Sequence, residues 1–161
     1  ALTRVLNRKG LDHKLGQLLR TPPNTGTQHA LVMLDIDHFK SINDGHGHLM
    51  GDRVLSALGE LLKQSVGEAG STVARYGGEE FAILLPNATP ALAQEVAERV
   101  RLRTKALKIR HKQTNEVVLT LTLSAGVAAH QRGEDASAWI ARADKALYQS
   151  KESGRDRVSL A

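Results

Sequence analysis

The chain has 161 residues, of which 41% are hydrophobic and 24% are charged, and this composition is typical of one globular domain rather than a disordered segment. It contains no cysteine, which excludes a disulfide scaffold, a thiolate zinc site and a cysteine nucleophile. No apolar run approaches the roughly 18 residues of a membrane span, so we expect no membrane contact by this domain.

The net charge of +5 is concentrated in one segment. Residues 99–112 include seven Lys or Arg residues and no acid, so the remaining residues together carry −2. A nucleic-acid site is one interpretation of this segment. The chain has only five aromatic residues for base stacking, however, and charges spread around a helix and into a loop favour a solvated surface. We therefore expect no nucleic-acid partner.

The first half of the chain alternates helical and strand patterns. A helix is predicted over residues 5–19, a loop over 21–27 and a short buried strand over 30–34. Apolar residues at helical spacing predict a second helix over 47–66. Residues 72–85 are predicted to form a β-hairpin, because two apolar segments flank a Gly-Gly pair.

The second half predicts two more helices around a long strand. The Thr-Pro pair at 89–90 is typical of the N-cap and first position of a helix. Alternation over residues 117–124 predicts a half-buried strand that either continues or bends at Gly126. A last helix is predicted over 137–154. The hairpin and the long strand together predict an α+β fold with antiparallel strand pairs.

The most distinctive motif is Arg75-Tyr-Gly-Gly-Glu-Glu-Phe81, in which two carboxylates follow the Gly-Gly turn. Because glycine has no Cβ, Gly78 would let a ligand approach the backbone closely. Consecutive strand residues point to opposite faces, so Glu79 and Glu80 are predicted to have different roles. The alternative is an ordinary hairpin with two solvated acids, which a Gly-Gly turn alone favours.

A second acidic motif, Leu34-Asp-Ile-Asp-His-Phe-Lys40, follows the first buried strand. Asp35 would emerge at the edge of the sheet, where carboxylates from neighbouring strands suit Mg²⁺, including the two ions of an in-line phosphoryl displacement. Lys40 would offer a point charge to a phosphate. Alternatively, Asp35 or Asp37 caps the next short helix.

Two further groups of polar side chains are open to interpretation. His38, His46 and His48 could bind zinc, but loop histidines that hydrogen-bond the backbone are the favoured interpretation. Lys151 and Arg155, four residues apart across a helix end, either converge on an anion or are solvated.

Together these residues resemble the GGDEF family of diguanylate cyclases over essentially the whole chain. The matching segments, in order, are Leu2-Thr3…Asn7-Arg8, 34–44, Gly47-His48…Gly51-Asp52, 75–81, 122–126, 143–148 and Lys151…Gly154-Arg155. The resemblance implies a ferredoxin-like βαββαβ core of the nucleotidyl-cyclase type, with a mostly antiparallel central sheet and flanking helices. It also implies that two GTP molecules condense to cyclic di-GMP and two pyrophosphates. Each 3′-hydroxyl attacks the α-phosphorus of the other nucleotide, so a second copy of the domain is needed.

The resemblance also assigns roles to individual positions. Mg²⁺, two ions per active site with Mn²⁺ as an alternative, would be bound by Asp35, the Ile36 carbonyl and Glu79. The β- and γ-phosphates would be bound by the amides of His38 and Phe39 and by Lys40, Lys151 and Arg155. Catalysis would involve Lys40, Glu79 and Glu80, of which Glu80 would lie near the attacking hydroxyl as a general base or activator.

Guanine would be recognised by Asn43 and Asp52 in the same scheme. A carboxylate can accept hydrogen bonds from guanine N1–H and N2–H, and adenine lacks both donors. A polar pocket rejects the wrong base when its buried acceptors are left unpaired.

The sequence departs from the family pattern at several positions. Glu68 and Ser71 occupy the positions of the Arg and Asp of a product-inhibition motif. An acid at the first of these positions would repel a dinucleotide, so we expect this inhibitory site to be absent and give Arg99, a secondary contact in some members, little weight. Arg4 and Asp156 stand where Gly and Asn are usual. Glu79 replaces the aspartate of the family name, and a glutamate still reaches a metal.

Two functions fit this pattern. The intact signature favours an active diguanylate cyclase, and the alternative is a catalytically silent module that binds GTP or cyclic di-GMP and regulates a partner. The family pattern begins with an Asp that would precede Ala1. We therefore expect residues 1–161 to be a single cytoplasmic domain of a longer protein, with sensory and dimerisation segments upstream that could include a membrane anchor.

Overall fold

A computed structural model describes residues 5–161, so Leu2, Thr3 and Arg4 of the sequence motifs lie outside the described residues. The helices are α1 (Arg8–Leu19), α2 (Phe39–His46), α3 (His48–Ser65), α4 (Pro90–Ala106) and α5 (Ala136–Glu152). The strands are β1 (Gln28–Ile36), β2 (Thr72–Arg75), β3 (Glu80–Ala88), β4 (Lys108–Arg110), β5 (Val117–Thr120), β6 (Leu123–Ala129) and β7 (Val158–Leu160).

Five strands form one sheet in the order β2-β3-β1-β6-β7. The central strand β1 pairs antiparallel with both β3 and β6, and β2 pairs antiparallel with β3. Only β7 runs parallel to its neighbour, β6, among the strands that the structure describes. The predicted α+β class, with a mostly antiparallel sheet and flanking helices, is confirmed.

The core lies on both faces of β1, whose side chains are almost all buried. Alternate residues such as Val32 and Leu34 pack in one apolar cluster with α3 and α4. The residues between them, Leu31 and Met33, pack in a second cluster with α1, α5 and the buried Trp139. Each fully buried side chain of this size contributes roughly 1.5–3 kcal/mol, so β1 is fixed from both sides.

The helix boundaries follow the capping residues. Asn7 accepts a hydrogen bond from the Gly10 amide, so α1 begins at Arg8 and not at the predicted residue 5. The predicted cap at Thr89 is confirmed, since its hydroxyl accepts from the Leu92 amide. No helix in the range 5–161 is long and apolar enough to cross a membrane.

The prediction of one continuous strand over 117–124 was wrong. Residues 117–120 pair with β4 in a separate two-stranded sheet, and the chain joins the main sheet only at Leu123. Val117, the first apolar residue of this alternation, is exposed. Gly126 lies within β6 and packs so closely on α5 that an added Cβ would be 2.2 Å from the Leu147 amide nitrogen.

Candidate active site

Three segments of the chain meet at one end of the sheet. Asp35, near the end of β1, lies opposite Glu80 on β3 and opposite Ser124 on β6. Glu79 precedes Glu80 in the turn between β2 and β3. Lys151, in the last turn of α5, donates a hydrogen bond to Asp35. The structure therefore brings the acids of the two predicted motifs to one end of the sheet.

Asp35 is a buried carboxylate with only one of its oxygens satisfied. Its Oδ2 accepts from the Lys151 ammonium group, whereas Oδ1 is buried and has no hydrogen-bond partner among residues 5–161. The pKa of Asp35 is raised: burial is the largest cause, the hydrogen bond and charge of Lys151 oppose it, and the charges of Glu79 and Asp37 add to it. Buried polar atoms are nearly always paired, so this oxygen is available to a water, an ion or a ligand.

Glu80 is the first residue of β3 and is half-buried. Burial raises the pKa of Glu80, the charges of Asp144 and Asp35 raise it further, and Lys151 lowers it. Asp144, on α5, lies in the matching segment 143–148 but was not predicted to belong to the site. Several carboxylates therefore share the charge of Lys151, and this arrangement favours an added cation.

The turn that carries Glu79 is held by Arg75. Its guanidinium group donates to the Gly77 carbonyl at 3.2 Å and to the Gly78 carbonyl at 3.0 and 2.7 Å. An added Cβ at either glycine would meet open space, so neither packing nor a positive φ requires glycine here. Glu79 lies in this turn, whereas Glu80 lies in strand β3. The two carboxylates therefore differ in surroundings because one is in a turn and the other in a strand, and not because they alternate between the faces of one strand.

The arrangement fits a hard cation held by a mixed set of donors. The predicted set combines two carboxylates with the Ile36 carbonyl, all of them oxygen ligands of the kind that Mg²⁺ prefers. No cluster of three or more His, Cys, Asp or Glu side chains in the described part of the chain is arranged to hold a metal ion. The predicted magnesium ligands include only two side chains, those of Asp35 and Glu79, so they would not form such a cluster. His38, His46 and His48 are exposed.

Helix α2 begins where the second motif ends. Its N-cap is His38, which has a left-handed backbone (φ 58°) and makes no side-chain capping hydrogen bond. The alternative that Asp35 or Asp37 caps this helix is therefore wrong. The main-chain N–H groups of a first helical turn lack intrahelical partners, and they lie here directly beyond β1, beside the exposed Lys40.

The corner between α2 and α3 carries the two predicted guanine-binding residues. Asn43 Oδ1 is buried without a partner among the described residues, and an added Cβ at Gly51 would be 1.9 Å from it. Asp52 is exposed and lines a cavity of 760 Å³ together with Arg53 and His111. Asn43 is not among the described residues that line this cavity.

Lys151 and Arg155 differ in their surroundings. Lys151 is paired with Asp35, which decides against the interpretation that it is simply solvated. Arg155 lies in the loop after α5, with a left-handed backbone (φ 66°) and an exposed side chain. The structure therefore brings only Lys151 into direct contact with the acids.

Part of the basic segment is neutralised by ion pairs. Arg99 donates to both oxygens of Glu68, at 3.2 and 3.3 Å. Burial alone would raise the pKa of Glu68, but the hydrogen bonds and charge of Arg99, together with main-chain hydrogen bonds from Glu68 and Gly67, lower it overall. Arg101 and Lys105 both pair with Asp156. The sequence analysis did not predict that Glu68 is the ion-pair partner of Arg99.

Comparisons with known proteins show the family of the chain. The family model described as "Diguanylate cyclase, GGDEF domain" matches residues 1–157. Diguanylate cyclase VdcA of Vibrio cholerae is 39% identical over 158 residues, which cover 98% of this chain and 45% of that protein. Probable diguanylate cyclase DgcF of Escherichia coli is 40% identical over 164 residues, which cover 98% of this chain and 50% of that protein. The chain thus spans half or less of the length of these relatives.

Solved structures give the same result for the fold. The GGDEF domain of DgcB from Caulobacter crescentus in complex with c-di-GMP has a TM-score of 0.92 and 36% identity, covering 99% of this chain and 90% of that one. The active GGEEF domain of a diguanylate cyclase from Vibrio cholerae has a TM-score of 0.84 and 32% identity, covering 98% and 97%. The chain therefore belongs to the GGDEF domain family of diguanylate cyclases.

Proposed function

We propose that this domain is a diguanylate cyclase, which condenses two GTP molecules into cyclic di-GMP and two pyrophosphates. The observation that carries the proposal is the buried Asp35, whose Oδ1 has no partner in the described part of the chain, opposite Glu80. A buried carboxylate with an unpaired oxygen destabilises the fold. Its presence in a domain of this family therefore supports a catalytic role over a structural one. Since GTP is an intracellular nucleotide, we place the domain in the cytoplasm.

Mg²⁺ would be held by Asp35, the Ile36 carbonyl and Glu79, in line with the unpartnered Asp35 oxygen. We propose two ions per site, with Mn²⁺ able to replace Mg²⁺. Bound there, the ions would supply Lewis-acid stabilisation of charge on the phosphates. A cation at Asp35 would compete with Lys151 for the carboxylate. Lys151 would then be available to a phosphate oxygen.

The triphosphate would bind where β1 ends and α2 begins. Unpaired amides at the start of a helix bind phosphate oxygens, and here they belong to His38, Phe39 and the residues that follow. Lys40 is exposed beside them and adds a point charge. Arg155 would add a second cation from the loop after α5.

Guanine would be recognised through Asn43 and Asp52. The buried Oδ1 of Asn43, which has no partner among residues 5–161, supports this assignment, because a guanine N–H would satisfy it and adenine would leave it unpaired. Asp52 is exposed, so its carboxylate is accessible to a ligand.

In the chemical step, the 3′-hydroxyl oxygen of one GTP forms a bond to the α-phosphorus of the other, and the bond to pyrophosphate breaks. Glu80, whose pKa is raised by burial, would accept the hydroxyl proton directly or through water. Each domain would bind one GTP, so both bonds of the cyclic product form only when two copies face each other.

The test is GTP turnover in Mg²⁺ as a function of domain concentration, with cyclic di-GMP and pyrophosphate both measured. We expect the rate per domain to rise with concentration, because catalysis is shared between two copies. Glu79→Ala should abolish the product, and Glu116→Ala, an exposed acid in the β4–β5 turn, should not. Nucleotide binding without pyrophosphate release at every concentration, including in an enforced dimer, would instead show a silent binding module.

A further inference from the structure

Asp37 is a second buried carboxylate at the same end of the sheet, with 5% of its surface exposed. Its oxygens accept hydrogen bonds from Thr122 Oγ1 at 2.6 Å, Ser124 Oγ at 2.7 Å and the main-chain N–H of Asp156 at 3.0 Å. Its own N–H donates to the Thr122 carbonyl at 3.0 Å. Asp37 therefore connects the end of β1 both to β6 and to the loop after α5.

That loop has an unusual backbone. Arg155 and Asp156 have φ values of 66° and 48°, in a left-handed region that non-glycine residues seldom adopt and rarely in succession. Such a conformation persists only where surrounding contacts hold it. Besides the bond to Asp37, the Asp156 carboxylate accepts from Arg101 at 2.7 Å and from Lys105 at 2.8 Å. These pairs neutralise the acid that lies directly beside Arg155.

We propose that Asp37 is a positioning residue, which fixes the left-handed loop through the Asp156 amide and thereby places Arg155 for binding the triphosphate. The inference rests on the proposed function, which assigns Arg155 to a phosphate. A loop fixed before the ligand arrives does not lose conformational freedom on binding, and the affinity is correspondingly higher. The Asp37 oxygens are already occupied by three donors, so its role is to hold the loop and not to contact the nucleotide.

Two variants separate the hydrogen bonds of Asp37 from its charge. Asp37→Ala removes every acceptor at this position. Asp37→Asn keeps one oxygen for Thr122 and the Asp156 amide, while its new NH₂ group can donate to Ser124, whose hydroxyl is free to rotate. We therefore expect Asp37→Ala to weaken binding of a non-reactive GTP analogue with Mg²⁺ by about tenfold, and Asp37→Asn to recover most of that loss.

A double-mutant cycle tests whether Asp37 acts through Arg155. In the Arg155→Ala background we expect Asp37→Ala to cause less than about a twofold further loss of affinity, because the group that it positions is already gone. Glu134→Ala is the matched control, since it removes a largely buried carboxylate whose partner, Arg142, donates to the Ala129 carbonyl at the opposite end of β6 from Ser124. It should lower stability without changing the affinity for the analogue.

Hydrogen exchange of the Asp156 amide provides a readout that needs no nucleotide. Asp37→Ala should accelerate this exchange by about tenfold or more while amides in β3 keep their protection. Additive losses in the cycle, or unchanged exchange and affinity in Asp37→Ala, would overturn the inference and leave the proposed function standing. Failure of the wild-type domain to bind the analogue would overturn the proposed function and this inference together.

Discussion

Asp35 and Glu80 face each other across the antiparallel strands β1 and β3, and burial raises the pKa of both carboxyl groups. Each negative charge also makes ionisation of the other less favourable. The folded domain therefore keeps these two acids at a cost in stability. Replacing one of these acids by a neutral residue should therefore stabilise the fold.

Glu80→Gln should stabilise the fold and strongly reduce turnover. Because the pKa of Glu80 is raised on folding, its favourable contribution is present below the unfolded-state pKa and is lost as the pH rises through the folded-state pKa. Glutamine does not ionise, so the variant does not lose this stability as the pH rises. We expect the variant to melt a few degrees above the wild type at pH 8, with the difference shrinking toward pH 4, while turnover falls about 10²–10⁴-fold. Lower stability at pH 8 would contradict this prediction.

Gly51→Ala should weaken GTP binding. The added Cβ would be 1.9 Å from Asn43 Oδ1 and 3.3 Å from the Phe39 ring, so the Asn43 side chain must move. We expect the KM for GTP to rise about tenfold, the equivalent of one hydrogen bond, measured by initial rates. The control is Gly45→Ala, since an added Cβ there would meet open space within α2. An unchanged KM in Gly51→Ala would argue against a role for Asn43.

Gly126→Ala should destabilise the domain and disturb the site together. The added Cβ would be 2.2 Å from the Leu147 nitrogen and 2.3 Å from the Ala143 oxygen, so α5 must move away from β6. We expect a loss of roughly 1–3 kcal/mol in the free energy of unfolding, measured with urea, and a loss of turnover because α5 carries Lys151. Gly16→Ala, in an open position of α1, should be neutral or stabilising.

Product inhibition at the position of Glu68 should be absent. Glu68 is negative and bound to Arg99, so this pair has no free cation to offer a dinucleotide phosphate. We expect cyclic di-GMP added to a turnover assay to leave an Arg99→Ala variant and the wild type equally active. The double variant Glu68→Arg with Ser71→Asp should acquire inhibition that Ser71→Asp alone lacks. Inhibition of the wild type that disappears in Arg99→Ala would show that the prediction is wrong.

The sequence predicted the long elements because their apolar spacing and caps are local signals. Helix α4, for example, begins where Thr89 and Pro90 predict. Strands β4 and β7 were missed because three residues are too few to show a period. The apolar alternation across residues 117–124 continues through the break between β5 and β6, because both strands are extended and only their pairing partner changes.

The acids of the candidate site were proposed from the sequence, whereas their contacts were not. Asp35 and Glu79 stand in motifs that a single sequence displays. The bonds that Asp37 accepts join residues 85 to 119 positions apart, and no local pattern indicates them. The ion pair of Glu68 with Arg99 was missed for the same reason, since it joins residues 31 positions apart.

The burial of β1 on both faces has a consequence for folding. A strand with one apolar face is aligned by that face, because a slip of one residue would expose it. The run 30–34 is apolar throughout, so a slipped pairing would bury almost the same surface. A slip would, however, take Asp35 from Lys151 and Asp37 from its donors. Asp35 and Asp37 therefore fix the register of a strand whose apolar residues alone leave it ambiguous.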